Sequence, residues 1–107
     1  MSVKANVRND EETIEIEVSG RFDFNVHREF REAYENIDQK IEHPKYIINL
    51  GGTDYMDSSA LGMLLLLREY AGGNGANIAI TKCREEIKEI LNISNFHLLF
   101  NVESVTH

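Results

Sequence analysis

Apolar and polar residues alternate in two short segments at the start of the chain. The alternation runs over 3–7 and again over 13–18, which is the pattern of strands with one buried face. Between them, Asn9-Asp10-Glu11-Glu12 contains the turn signal Asn-Asp. The two segments are therefore predicted to form an antiparallel hairpin.

The residues after the hairpin show the longer periodicity that is typical of helices. Apolar residues recur at helical spacing over 24–41, which predicts an amphipathic helix with Asn25 as its N-cap. A second helix is predicted over 59–71, where a glycine-rich segment ends it, and a third over 84–91. The buried stripe of the first helix is expected to consist of Val26, Phe30, Ala33, Ile37 and Ile41, and that of the third of Ile87, Ile90 and Leu91.

The remaining strands complete an α/β pattern. They are predicted at 46–50, 77–81 and 97–102. A hairpin followed by alternating strands and helices predicts one α/β domain with a mixed sheet, antiparallel in the hairpin and parallel in the strand–helix crossovers. In such a sheet a predicted turn at 20–23, ending in Asp23, and the turn before Ser58 are expected at the same carboxyl edge, where ligands usually bind.

The second helix is more apolar than a helix lying on a sheet needs to be. Residues 63–67 are all apolar, and Leu61, Tyr70 and Ala71 extend the apolar surface around almost the whole circumference. Two interpretations stay open. The excess surface is either exposed, as a docking face would be, or buried between neighbouring helices, and periodicity does not separate them.

The start of this second helix carries the candidate chemistry. Ser58 and Ser59 stand where the helix begins, and the first amides of a helix lack internal partners and carry partial positive charge. One interpretation is that either serine is an N-cap. The other is that one serine is phosphorylated and that its phosphate lies on the helix end.

The charge of the chain argues against nucleic acid as a partner. Eighteen acidic residues against eleven basic ones give a net charge of −7, and the basic residues are scattered. The only cysteine, Cys83, has no disulfide partner within the chain and is expected to be a small buried residue. No signal peptide and no membrane span of about 20 apolar residues is evident, so a cytoplasmic protein is expected. We also expect it to be monomeric when free.

The candidate edge does not have the residues of an enzyme or a metal site. Asp23, Asp54 and Asp57 could supply three carboxylates to Mg²⁺, but no supporting ligand pattern accompanies them. Ser58 lacks the flanking glycines of a nucleophile elbow, and no histidine is placed to activate it. No catalytic residue, metal ligand or cofactor is therefore predicted.

Two motifs resemble those of a known family. Met56-Asp57-Ser58-Ser59-Ala60-Leu61-Gly62 resembles the signature of anti-sigma factor antagonists, which are small bacterial STAS-domain proteins. Gly20-Arg21-Phe22-Asp23 resembles the glycine-x-hydrophobic-aspartate turn of the same family. The resemblance covers nearly the whole chain and implies a single STAS domain over 1–107. Ala60 departs from the glycine of many members, and the short segment after the last predicted strand leaves little room for their extra C-terminal helix.

The resemblance implies a partner-switching function. Ser58 matches the serine that a partner, at once anti-sigma factor and serine kinase, phosphorylates in this family; a PP2C-type phosphatase would reverse the reaction. Asp23 and Asp57 would be the acidic residues beside this switch. The partner is expected to contact Ser59, Leu61 and Leu65.

Two alternatives to this function stay open. The first is a partner switch within the same fold whose output is not a sigma factor, such as biofilm formation or motility. The second is a domain that binds a small ligand at the edge shared by Asp23 and Ser58.

Overall fold

The computed structural model describes residues 2–8, 12–35 and 44–104. The strands are β1 (Ser2–Val7), β2 (Thr13–Phe22), β3 (Lys45–Asn49), β4 (Thr53–Met56), β5 (Ile78–Cys83) and β6 (Asn101–Ser104). The α-helices are α1 (His27–Glu35), α2 (Ser58–Tyr70) and α3 (Glu85–Ile93), and short 3-10 turns lie at Phe24–Val26, Gly73–Gly75 and Phe96–Leu98.

The strands form a mixed sheet of the predicted class. Five strands lie in the order β1-β2-β3-β5-β6, and β4 pairs with the far end of β2. The β1–β2 pair is antiparallel and every other pair is parallel. The hairpin and the parallel crossovers are therefore confirmed, while the tip of the hairpin, 9–11, lies outside the described residues.

The strand β2 is longer than predicted, because Gly20 bends it instead of ending it. Its first half pairs with β3, and Gly20 to Phe22 pair with β4, with a register shift between Gly20 and Arg21. Gly20 has a φ of 85°, a left-handed conformation that glycine adopts without steric cost. The predicted turn at 20–23 is thus wrong for its first three residues, which continue the strand as a bulge.

β4 was not predicted from the sequence. It has four residues and shows no alternation, because its two central residues are exposed and its ends, Thr53 and Met56, are buried. The Thr53 hydroxyl donates a 2.6 Å hydrogen bond to the Val18 carbonyl of β2. This tertiary hydrogen bond helps to hold β4 against β2, although the local sequence pattern of β4 does not predict a strand.

The start of the first helix also differs from the prediction. Asn25 is not a cap: Asp23 is the N-cap of the first 3-10 turn, and its Oδ1 accepts a 3.0 Å hydrogen bond from the Asn25 N–H. The helix that follows buries Phe30 and Tyr34, whereas 36–43, with the predicted Ile37 and Ile41, lie outside the described residues.

The final strand begins later than the predicted 97–102. Phe96–Leu98 forms a 3-10 turn, and β6 starts at Asn101. The Phe96 and Phe100 rings stack with centroids 5.4 Å apart, and both are buried. The compact turn thus places both rings in the core.

The core joins the sheet to all three helices. The largest fully buried side chains are Phe22, Phe30, Ile14, Ile16, Ile48, Leu50, Leu64, Leu67, Ile80, Leu91, Val18 and Val26. The third helix buries Ile87 and Leu91 as predicted, with Ile90 partly buried against the core.

The open question about α2 is resolved by its exposure. Ala60, Met63, Leu64 and Leu67 are buried, whereas Leu65 is 40 % exposed, Leu66 62 % and Tyr70 48 %. Part of the apolar surface of this helix is therefore uncovered in the free protein.

Neighbouring leucines of α2 should differ sharply in their effect on stability. Leu67→Ala is expected to lower the free energy of unfolding by about 2–5 kcal/mol, since it opens a cavity in the core. Leu66→Ala should change it by less than about 0.5 kcal/mol, because that side chain is mostly in solvent. Urea unfolding of the two variants measures both values, and equal losses would contradict this description of the helix.

Candidate functional site

The candidate site lies where β2 and β4 end side by side. Phe22 pairs with Met56 in parallel register, and each is followed by an aspartate, Asp23 and Asp57. The expectation that the two turns meet at one edge of the sheet is confirmed by this pairing. Ser58 follows directly as the first residue of α2.

Asp57, and neither serine, is the N-cap of α2. Its backbone is extended, and its Oδ1 accepts hydrogen bonds from the N–H groups of Ser59 at 3.0 Å and Ala60 at 3.2 Å. The Ser59 hydroxyl donates a third bond to the same oxygen at 2.6 Å. The interpretation of Ser58 or Ser59 as the cap is therefore wrong, since a carboxylate one residue earlier already satisfies these donors.

These contacts stabilise the ionised form of Asp57. The hydrogen bond from the Ser59 hydroxyl is the main reason that the pKa of the Asp57 carboxyl lies below its usual value, and the Ala60 and Ser59 amides add to the effect. Partial burial opposes the shift but is the smaller influence. The N-terminus of α2 thus carries a negative charge, the ionised Asp57 carboxylate.

The two serines are in different situations. Ser59 is half-buried and its hydroxyl is engaged with Asp57, whereas Ser58 is exposed. The Ser59 and Ala60 amides at the start of the helix already donate to the Asp57 carboxylate. The expectation that a phosphate lies on the helix end stays a prediction, and such a phosphate would compete with this carboxylate for the two amides.

Asp23 is held from two sides. It is buried, its Oδ1 caps the first 3-10 turn, and its Oδ2 accepts a 3.2 Å hydrogen bond from Arg21 Nε. The guanidinium carbon of Arg21 also lies 3.9 Å from the centroid of the Tyr55 ring, in cation–π geometry. Arg21 was not singled out from the sequence, because the turn predicted at 20–23 concealed that it lies on a strand, where residues two apart share a face.

An exposed apolar surface borders the candidate edge on α2. Of the residues expected to contact a partner, Leu65 is exposed, whereas Leu61 and Ser59 are half-buried, and Leu61 packs partly against the core. Leu66 and Tyr70 belong to this surface too; the sequence placed both in the apolar circumference of the helix but did not predict them as partner contacts. Their spacing of four residues places them on one side of the helix, but the surrounding apolar residues hid that signal.

The other candidate groups form no additional chemistry in the described residues. Over 2–8, 12–35 and 44–104, no three His, Cys, Asp or Glu side chains are grouped to hold a metal ion. Asp54 is exposed on β4. Cys83 is a buried free cysteine, as predicted, and burial raises the pKa of its thiol to about 11. Among the described helices, none is both long and apolar enough to cross a membrane.

Comparison with known proteins identifies the family. The family model of the STAS domain matches residues 4–107. A STAS-domain containing protein of Pseudomonas aeruginosa (strain UCBPP-PA14) is 45 % identical over 102 residues, which cover 95 % of this chain and 99 % of that protein.

Solved structures share the fold at low sequence identity. A putative anti-sigma factor antagonist from Thermotoga maritima superimposes with a TM-score of 0.79 at 13 % identity, covering 95 % of this chain and 86 % of that one. An anti-sigma factor antagonist from Mycobacterium paratuberculosis gives 0.75 at 16 % identity, with the same two coverages. A sulfate transporter family protein from Wolinella succinogenes gives 0.72 at 16 % identity, covering 91 % and 84 %.

Removing the Asp57 carboxylate should destabilise the protein in a pH-dependent way. Asp57→Ala is expected to lower the free energy of unfolding by about 0.5–2 kcal/mol at pH 7. Because the folded-state pKa is lowered, this contribution is complete above the unfolded pKa of about 3.9 and is lost as the pH falls through the folded value.

Urea unfolding at neutral and at acidic pH measures the effect. The variant should differ from the parent protein at pH 7 and approach it in strongly acidic solution. Asp54→Ala, which changes an exposed carboxylate on β4, is the matched control and should cost little at either pH. Equal losses for the two variants at pH 7 would show that Asp57 does not stabilise the helix.

Proposed function

The chain belongs to the STAS domain family, and we propose that it is an anti-sigma factor antagonist that works by phosphorylation-controlled partner switching. Unphosphorylated, it binds a serine-kinase anti-sigma factor in the cytoplasm and so frees the sigma factor. Phosphorylation of Ser58 abolishes binding, and a PP2C-type phosphatase restores it. The protein is a kinase substrate and a binding module, and the partner supplies the catalytic groups.

The observation that carries this proposal is the contrast between two adjacent serines. Ser58 is exposed at the start of α2, whereas the hydroxyl of Ser59 is committed to Asp57 at 2.6 Å. A kinase needs an accessible hydroxyl, and Ser58 offers one without loss of the helix cap. The likeness in fold to two anti-sigma factor antagonists is consistent with this function.

The surface around Ser58 is suited to docking. Leu65, Leu66 and Tyr70 expose apolar area on the helix that Ser58 begins, and half-buried Leu61 adjoins them. Exposed apolar area of this kind commonly marks a protein interaction site. We take this α2 surface as the contact region for the anti-sigma factor.

Gly62 supports docking on the same helix. A helix-interior glycine costs about 0.5–1 kcal/mol relative to alanine, and Gly62 is exposed, with nothing within 4 Å of the position its Cβ would occupy. Packing within the described chain therefore does not require glycine at this position. Close approach of a partner backbone accounts for it.

Phosphorylation would act at the interface and leave the fold intact. A phosphoserine adds about 1.5–2 negative charges and a bulky group, and Ser58 lies outside the core. The added charge falls beside Asp57 and at the same edge as Asp23. A surface that docks through Leu65 and Leu66 would then have a dianion where the partner must approach.

The first functional test concerns the modified residue. Incubation with the cognate kinase and ATP should place phosphate on Ser58, as read by mass spectrometry. Ser58→Ala should resist phosphorylation and keep its affinity for the partner, whereas Ser58→Asp should bind more weakly, because it places a charge at the interface. Ser59→Ala, which keeps Ser58, should still be phosphorylated. Phosphate on Ser59 alone, or undiminished binding by the phosphoprotein, would overturn the proposal.

The second functional test uses opposite effects on stability and binding. Gly62→Ala should raise the free energy of unfolding by about 0.5–1 kcal/mol, because alanine favours the helix. The same change should weaken binding to the anti-sigma factor, since a methyl group would hold the partner away.

Calorimetry of binding and urea unfolding measure the two effects of Gly62→Ala separately. Val7→Ala, which shortens an exposed side chain at the end of β1, opposite Ile14 of β2, is the control and should leave affinity unchanged. Unaltered affinity in Gly62→Ala would exclude a close contact at this position.

A further inference from the structure

We infer that Arg21 is the residue that receives the phosphate on Ser58. This inference rests on the proposed function in one respect, that Ser58 is the phosphorylated residue. The role of Arg21 follows from the hydrogen bonds and the strand register at the candidate edge.

The first step is that the helix end is already occupied. Asp57 Oδ1 accepts the Ser59 and Ala60 amides and the Ser59 hydroxyl, with distances of 3.0, 3.2 and 2.6 Å. A phosphate on Ser58 would have to displace a carboxylate with three short bonds in order to use these donors. A cationic side chain outside the helix is a partner that requires no such displacement.

The second step is the position of Arg21. It pairs with Tyr55 in the β2–β4 ladder, and its guanidinium lies over that ring. Its Nε reaches Asp23, two residues further towards the carboxyl edge. Because Asp23 and Asp57 follow paired residues, this bond directs the guanidinium towards the edge at which Ser58 begins α2.

The third step is the capacity of the guanidinium. An arginine has five N–H donors, and Nε carries only the one that Asp23 accepts. The two Nη groups supply the other four, in a fork that fits two phosphate oxygens. The Arg21 side chain is 59 % exposed, so it can reorient at little cost in packing.

The fourth step is that Asp23 tolerates this change. If Arg21 turns towards the phosphate, Asp23 keeps the 3.0 Å hydrogen bond from the Asn25 N–H. The cap of the first 3-10 turn is thus preserved. Phosphorylation redirects one exposed arginine and leaves the buried aspartate with a partner.

The charge at this edge makes the pairing favourable. The chain has a net charge of −7, and a phosphate on Ser58 would join the carboxylates of Asp57 and Asp23 at the same edge. Like charges at short range oppose the second ionisation of a phosphate, and an arginine beside it favours that ionisation. The phosphorylated form would therefore present a phosphate–guanidinium pair at the edge.

The test installs phosphoserine directly at position 58 of the full chain, so that no kinase is needed. Phosphorus NMR titration then gives the second pKa of the phosphate, which is about 6 for unperturbed phosphoserine. Arg21→Gln is expected to raise this pKa by about half a unit, roughly a threefold increase in proton affinity. Arg21→Lys should give an intermediate value, because it keeps the charge and loses the fork.

Arg8→Gln is the matched control. Arg8 is also an exposed arginine paired with a carboxylate, at 3.0 Å from Glu15, but it lies at the opposite end of β2. This variant should leave the phosphate pKa unchanged. In the unmutated protein, the Nε–H resonance of Arg21 should shift on phosphorylation while that of Arg8 stays in place, a readout that does not depend on how any variant folds.

Each outcome separates this inference from the proposed function. An equal phosphate pKa in the parent protein and in Arg21→Gln, or an unshifted Arg21 resonance, would overturn the role of Arg21. Failure of the cognate kinase to modify Ser58 would instead remove the proposed switch and leave the measured Arg21–phosphate contact standing.

Discussion

The parallel pairing of the end of β2 with β4 is the constraint on which the candidate site depends. Gly20, in a left-handed conformation, lets β2 change its partner without ending. Phe22 and Met56 then pair, and the aspartate after each reaches the same edge of the sheet. Without this bulge, Asp23 and Asp57 would end strands that do not touch, and the start of α2 would have no acidic neighbour from β2.

This pairing also determines which charged side chains lie together at the edge. Asp57 supplies an internal anion to the N-terminus of α2 and caps it through the Ser59 and Ala60 amides. The cap and the proposed modification site are therefore separate groups. In the proposed switch, a phosphate on Ser58 would change the surface charge beside this cap, and Arg21, which lies beside Asp23 on β2, is the cation that we infer would pair with it.

The sequence was sufficient to predict the structure wherever local periodicity or turn and helix-terminating residues decide it. The hairpin, the parallel crossovers, the extent of α2 and the burial of Cys83 all follow from it. It failed where a tertiary contact decides. The strand Thr53–Met56 has no hydrophobic period and is held by its pairing with β2 and by a buried hydroxyl. The cap at Asp57 lies beside two serines that are equally good caps by preference. The position of Arg21 beside the candidate edge depends on the register of β2 against β4, which the sequence alone does not show.

The two sides of α2 are under different constraints, and this explains why its composition is so apolar. The inner side fills the core with Leu64 and Leu67, whereas the outer side leaves Leu65 and Leu66 in contact with water. Stability alone would favour polar residues on that outer side and alanine in place of Gly62. The net charge of −7 opposes self-association of the exposed strip. The outer side therefore has the composition of a surface that contacts another molecule, and under the proposed function a phosphate on Ser58 would add its charge beside that surface.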